Sequence, residues 1–199
     1  MIEKIIRSVQ SIPAFPMTVQ KVAELVSRED YAVTDLVNLI KYDQAITANI
    51  LKMSNAAYFG SRHKIKTIQE AVLYLGQQNL LRAVQTAGVS RFYRKVGGGY
   101  VTKAQELWKH SVAVAMMTQI LSQKVFHCDD SVLYTAGLLH DIGKVFLGEY
   151  VQESFNKIED LVTNRGYSFL DAEKEVLGID HAGLGGLIAE HWHFPPEIK

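Results

Sequence analysis

Apolar residues recur every three or four positions along almost the whole chain, and this period constrains the fold more than any other feature. Val19, Val22, Ala23, Leu25 and Val26 make one such stripe, Leu36, Val37, Leu39 and Ile40 the next, and Ile46, Ile50, Leu51 and Met53 a third. Spacing at i, i+3 and i+4 lines one face of an α-helix, whereas a half-buried strand would alternate. Proline, which breaks helices from within, is confined to Pro13 and Pro16 near the start and Pro195 and Pro196 near the end. Thr67 with Glu70 three residues on is a capping-box pattern that opens Ile68-Ala71-Val72-Leu75, and Ser168 with Asp171 is a weaker one. Alternating segments bounded by turn residues are absent. The chain is expected to be all-α, a multi-helix bundle.

A length of 199 residues, 48% of them hydrophobic, allows one sizeable core or two small lobes. Gly97-Gly98-Gly99 is the clearest internal boundary, because three glycines would stop a helix running from Leu80 through Arg94. They make either a surface loop within one domain or a joint between helical lobes spanning roughly 1–96 and 100–199. Lysine and arginine together number 21, as do aspartate and glutamate. A zero balance argues against a broad nucleic-acid or membrane surface, both of which favour a basic excess. Cys128 is the sole cysteine, so no intramolecular disulfide can form, which fits a reducing cytoplasm. The N-terminus mixes charges through its apolar residues and reads as no signal peptide. No apolar run approaches the roughly 20 residues that span a bilayer, so no membrane insertion is expected. The expected setting is cytoplasmic.

Against this background His140-Asp141-Ile142-Gly143-Lys144 stands out, because it follows Leu133-Tyr134-Thr135-Ala136-Gly137-Leu138-Leu139 in a stretch that reads as buried helix. A buried charge without a partner costs several kcal/mol, on the order of a lost ion pair, so a metal, another side chain or solvent must compensate. Lys144 lies four residues after His140 and three after Asp141, on the same helical face. Imidazole with carboxylate suits divalent iron, manganese or zinc, and a lysine beside such a centre can hold a phosphate oxygen. Two ligands do not make a site. His110, at the start of the apolar run Val112–Met117, is a natural third from a neighbouring helix. His181 follows Asp180, a plausible N-cap, and precedes Ala182-Gly183-Leu184-Gly185-Gly186, small residues that allow close helix approach. It could be the fourth. A single histidine in an apolar helix is more often a hydrogen-bonded core residue. His191 and His193 flank Trp192, while His63 and His127 lie in polar surroundings and read as surface.

Two further segments carry weaker signals. Ser54-Asn55-Ala56-Ala57-Tyr58-Phe59-Gly60 ends a helix with small residues, two aromatics and a glycine. This is either plain helix termination or a partner-contact surface using Asn55, Tyr58 and Phe59. Arg62, His63, Lys64 and Lys66 form a basic cluster, either a solvated loop or a site for a phosphate-bearing ligand. Arg91, Arg94 and Lys95 would suit a helix C-terminus.

The order His110, His140-Asp141 with Lys144, then His181 resembles the metal-ligand order of the HD superfamily of phosphohydrolases. Ile12-Pro13-Ala14-Phe15-Pro16, Leu51 through Gly60, and Ile68 through Gly76 further resemble the HDOD domain, the HD-related output domain of bacterial signalling. Gly137 through Lys144 and His181-Ala182-Gly183-Leu184-Gly185 fit the later part of that pattern, so the resemblance covers nearly the whole chain. It implies a single HDOD domain over 1–199, an HD-like bundle with an N-terminal helical lobe. It also implies a regulatory, signal-transducing role through contacts with signalling proteins or other domains. Related HD and HD-GYP domains hydrolyse phosphate esters, cyclic dinucleotides among them. On that pattern His110, His140, Asp141 and His181 would hold a divalent metal and Lys144 would meet phosphate. A catalytic HD site usually has a further Asp and often a His pair downstream of the His181 position. Here Lys199 is reached without either, and Gly166-Tyr167 is followed by Ser168 rather than proline. The readings that follow are a non-catalytic regulatory module, a metal-dependent phosphohydrolase, and a sensor that binds a phosphorylated small molecule without consuming it.

Overall fold

The computed structural model describes residues 1–26, 28, 30–56, 64–95, 100, 104–126 and 131–199. Among them there are helices and no strand, as the apolar period predicts. They divide into two compact units: Ala14–Arg91, and Met1–Pro13 together with Phe92–Lys199. The chain passes from one unit to the other at 13–14 and returns at 91–92. Gly97-Gly98-Gly99, Tyr58, Phe59, His63, His127 and Cys128 lie outside the described residues. No helix among those described is long and apolar enough to cross a membrane.

The unit Ala14–Arg91 holds α2 (Met17–Val26), α3 (Val33–Ile40), α4 (Gln44–Ser54) and α5 (Ile68–Ser90), with α5 packed against the other three. The predicted stripes are its core: Val19, Val22, Leu36, Ile40, Ile46 and Ile50 are buried, with Leu80 and Val84 from α5. Burial of each such side chain is worth about 1.5–3 kcal/mol. Polar groups here serve the backbone. Asp43 Oδ1 accepts from the Ile46 N–H at 3.0 Å and caps α4. Thr67 Oγ1 accepts from the Glu70 N–H at 3.1 Å, as the capping pattern predicts, while Glu70 Oε2 reaches one residue further back, to the Lys66 N–H at 2.8 Å. The helix expected over Leu80–Arg94 begins earlier and ends at Ser90, followed by a 3-10 turn over Phe92–Lys95. Gly76, at φ +71, breaks helical geometry inside α5. Asn55 C-caps α4 and uses its whole amide on backbone. Nδ2 donates to Leu51 O at 2.7 Å and Ile65 O at 2.8 Å, and Oδ1 accepts from Ile65 N–H at 2.8 Å.

The other unit holds α1 (Ile2–Val9), α6 (Ala104–Leu121, continued by a π turn over Ser122–Phe126), α7 (Ser131–Leu139), α8 (Ile142–Glu153), α9 (Phe155–Arg165), α10 (Phe169–Leu177) and α11 (His181–His191). Leu138, Ile142, Leu147, Ile158, Leu177, Leu184 and Ile188 are its fully buried centre. Ile5 of α1 is fully buried too, and the residues after α1 are tied to the end of α11. Trp192 Nε1 donates to Pro13 O at 3.1 Å, and His191 Nε2 to Ile12 O at 3.3 Å. Phe92 stacks on Trp192, with ring centroids 4.6 Å apart. α11 ends in a Schellman motif, with Phe194 N–H on Ala189 O and His193 N–H on Glu190 O, each at 2.9 Å. The left-handed position that glycine usually fills is taken by His193, at φ +60. His191 and His193 thus serve the end of α11.

Candidate metal centre

The His140-Asp141 pair sits in a break between two helices, not in the middle of one: α7 ends at Leu139 and α8 begins at Ile142. This corrects the expectation of a continuous helix. Neighbours on one helix diverge by about 100°, whereas the turn lets both side chains face one point. Asp141 occupies the N-cap of α8 yet makes no side-chain cap bond. Its carboxylate is turned to the cluster instead. Asp141 Oδ2 lies 2.8 Å from Lys144 Nζ, 3.4 Å from His140 Nε2 and 3.7 Å from His110 Nε2, and Oδ1 lies 3.7 Å from His181 Nε2. The three expected histidine ligands and Lys144 therefore converge on the fourth, the buried Asp141 carboxylate, which is 3% exposed as a residue.

Two close approaches make this possible. A Cβ built on Gly137 of α7 would lie 2.7 Å from Thr118 Oγ1 and 3.0 Å from Ala115 Cα, so α7 can lie against α6 only because that carbon is missing. Thr118 Oγ1 also spans the pair, at 2.8 Å from Ala115 O and 3.1 Å from Leu133 O. His110 is in the second turn of α6, and its ring meets that of His140 with centroids 5.2 Å apart. Next to it, Ser111 is hydrogen-bonded to the Tyr93 hydroxyl at 2.8 Å, in a buried position that pushes the phenol up to about 12. A Cβ on Gly143 would come within 1.9 Å of His181 O. That contact seats the start of α11 against the start of α8, and brings His181 beside Asp141. Of the small residues expected to allow close approach, Gly185 lies at this contact, its N 3.0 Å from the same Cβ position, while the carbon that must be missing is on Gly143. Asp180 caps α11 as predicted, accepting from Gly183 N–H at 2.6 Å.

Electrostatics follow from the crowding. Burial pulls the Asp141 carboxyl upward, but bonds from His140 and Lys144 and their positive charge outweigh it and hold it well below the carboxylate range. Its hydrogen bond to Asp141 raises His140 above the usual histidine value, against the opposing pull of burial. The rings are also held from behind. His140 Nδ1 donates to Gly137 O at 2.8 Å, and His181 Nδ1 meets Glu173 Oε2 at 2.7 Å, leaving Nε2 of each toward Asp141. His110 is the exposed member, its side chain 55% accessible.

This donor set fits a divalent transition metal. Donor atoms of His110, His140 and Asp141 all lie within 4.8 Å of one another; His181 Nε2 stands outside that group of three, 3.7 Å from the other carboxylate oxygen. Metal–nitrogen and metal–oxygen bonds of about 2.0–2.2 Å place neighbouring ligands roughly 3–3.5 Å apart. The 3.4 and 3.7 Å separations between Asp141 oxygens and the three histidines are near that spacing. Backbone and carboxylate groups behind two of the rings are what metal-binding histidines usually have. Glu173 was not singled out from the sequence. The available signal was a charged residue on the buried stripe of α10, beside Ala172 and in phase with Leu177.

Residues 12–199 match the family model of the HDOD domain. An HDOD domain protein of unknown function from Geobacter sulfurreducens has a solved structure with a TM-score of 0.80 and 27% identity, covering 96% of this chain and 65% of its own. A candidate phosphohydrolase from Shewanella amazonensis is similar with a TM-score of 0.76 and 27% identity, over 96% of this chain and 67% of that one. An uncharacterised protein of Treponema pallidum is 23% identical over 193 residues, 96% of this chain but 36% of that protein. The chain thus spans about a third of the curated relative that it matches.

Proposed function

The chain belongs to the HDOD family, and on that premise we propose that it is a cytoplasmic signal-transduction module whose His–Asp cluster holds one divalent metal ion and whose output is contact with other signalling proteins or domains. The observation that carries the metal part is the convergence of His110, His140 and His181 on Asp141, with the last two rings anchored at Nδ1. Iron, manganese and zinc all accept this mixture of imidazole and carboxylate. Before any ion binds, the Lys144 ammonium pairs with Asp141 Oδ2 at 2.8 Å, within its own helix turn. Partner contact through Asn55, Tyr58 and Phe59 belongs to the same reading; of these, Asn55 already holds both backbone groups of Ile65.

A second reading, a metal-dependent phosphohydrolase or a sensor for a phosphorylated small molecule, draws on the same lysine. A bound ion would supply Lewis acidity and a more acidic water. Asp141 would then bind the ion, and the freed Lys144 would orient a phosphate oxygen. The 27% identical Shewanella protein supports this reading by name only.

Elemental analysis of the purified chain and of His140→Ala separates the possibilities. Near-stoichiometric iron, manganese or zinc that vanishes in the variant supports the centre; metal in neither protein after incubation with all three ions overturns it. Phosphodiesterase and phosphatase assays on the loaded chain then decide between module and enzyme. Turnover that His140→Ala abolishes would overturn the non-catalytic reading.

A further inference from the structure

We infer that Glu173 is a positioning residue for the metal centre: its buried carboxylate fixes the His181 ring with Nε2 toward Asp141 and so sets how tightly the cluster binds metal. The inference rests on the metal-centre reading. Glu173 is 0% exposed, deep on the inner face of α10. Its Oε2 accepts from the His181 backbone N–H at 2.8 Å and from His181 Nδ1 at 2.7 Å, while Oε1 accepts from the Tyr100 hydroxyl. A carboxylate only accepts, so Nδ1 donates its N–H to Glu173 and Nε2 is the nitrogen left for the cluster. Nε2 lies on the side of Asp141 Oδ1, 3.7 Å away. Backbone and ring of one residue are gripped by one oxygen, which restrains rotation of the His181 ring. Tyr100 does the same for Glu173: it binds the other oxygen and sets its ring edge-on to His181, 6.3 Å between centroids at 88°.

A purely structural role would be to satisfy the first N–H of α11, beside the cap that Asp180 gives to Gly183 N–H. Capping explains neither the bond to the imidazole nor complete burial of a carboxylate, which is costly unless its charge is used. An anionic acceptor behind a metal-binding imidazole raises its basicity and holds its orientation, and losing such a partner typically weakens metal binding about 10- to 100-fold.

The test is zinc affinity of the full chain, by competition with a chromophoric chelator, beside the Tm of the metal-free protein. Glu173→Gln keeps the shape and one acceptor but removes the charge; the dissociation constant is expected to rise about 10- to 100-fold. Asp180→Ala is the control, lowering Tm through α11 while leaving zinc affinity within about twofold. A folded Glu173→Gln with wild-type affinity overturns the inference, as does Asp180→Ala weakening zinc equally, since affinity would then only follow α11 stability. Should Glu173→Gln fail to fold, long-range proton–nitrogen NMR of the metal-free wild type gives the answer. The Nδ1–H tautomer at His181 is expected, and an Nε2–H tautomer overturns the role. A wild-type chain that binds no zinc overturns the metal-centre reading and this inference with it; wild-type binding matched by Glu173→Gln overturns this inference alone.

Discussion

Each unit brings two helices together at a glycine, but the glycines face different things. In Ala14–Arg91, a methyl on Gly88 of α5 would lie 2.4 Å from Val19 Cγ2, a side chain of α2. In the other unit, a methyl on Gly143 would lie 1.9 Å from the carbonyl oxygen of His181 and 3.0 Å from Gly185 N, all backbone. A side chain can change rotamer; a helix backbone can give way only by moving everything attached to it. Tolerance is therefore low where the putting-together of α8 and α11 also positions Asp141 and His181. The contrast runs through the polar groups as well. In Ala14–Arg91, Asp43, Thr67 and Asn55 serve caps and backbone, whereas Asp141 sits at a cap position and leaves the cap unmade.

The sharpest way to break this contrast is Gly143→Ala. It is expected to cost at least about 3 kcal/mol in urea unfolding, at the upper end for overpacking, and to weaken zinc binding by displacing His181. A Tm within a few degrees of wild type would show that α8 and α11 separate freely. Gly88→Ala is the counterpart: about 2 kcal/mol, with zinc affinity unchanged. Equal costs for both would remove the distinction.

The charged cluster should also give its unit a pH signature. His140 is held above its ordinary value of 6.5, so its contribution to stability is complete below about that pH and is lost as pH rises through the raised folded value. Asp141 is held below 3.8, so its contribution is present above that pH and is lost as pH falls through the lowered folded value. In a Tm-against-pH scan of metal-free protein, His140→Gln is expected to flatten the alkaline decline; an unchanged slope would place its source elsewhere. The smallest effect is expected at His193. Its left-handed backbone, at φ +60, suits glycine, and His193→Gly should add about 0.5 kcal/mol by calorimetry. A loss there would show that the ring contributes more than its strain costs.

How much of this was legible in the sequence depends on the kind of signal. Thr67, Ser168 and Asp180 all cap the helices they were expected to cap, because a cap bond is local and needs only one side chain at the right offset. The break at His140-Asp141 was not legible. Apolar spacing runs through it from Leu139 to Ile142, and Asp141, though of a type that opens helices, also reads as one of the cluster's ligands; its carboxylate makes no cap bond and pairs with Lys144. The companions of the cluster were legible as residue types; that Asp141 would be their common point was not, since it depends on Gly137 and Gly143 omitting a single carbon each. Glu173 escaped because a carboxylate between Ala172 and Lys174 on a short helix reads as a solvated charge. Only its place on the buried stripe of α10 set it apart.

The return of the N-terminal segment to α11 has a consequence for synthesis. Met1–Pro13 belongs with Phe92–Lys199, and Ile12 and Pro13 accept their bonds from His191 and Trp192, 179 residues further along. Emerging from the ribosome, Ala14–Arg91 has all of its own partners before α6 is translated, and domains tend to fold as they become complete. The unit with the His–Asp cluster has its first helix made earliest and its closing contacts made last. Ile12 and Pro13 must wait for the end of α11 before their bonds form, so the order of translation leaves the cluster for the final step.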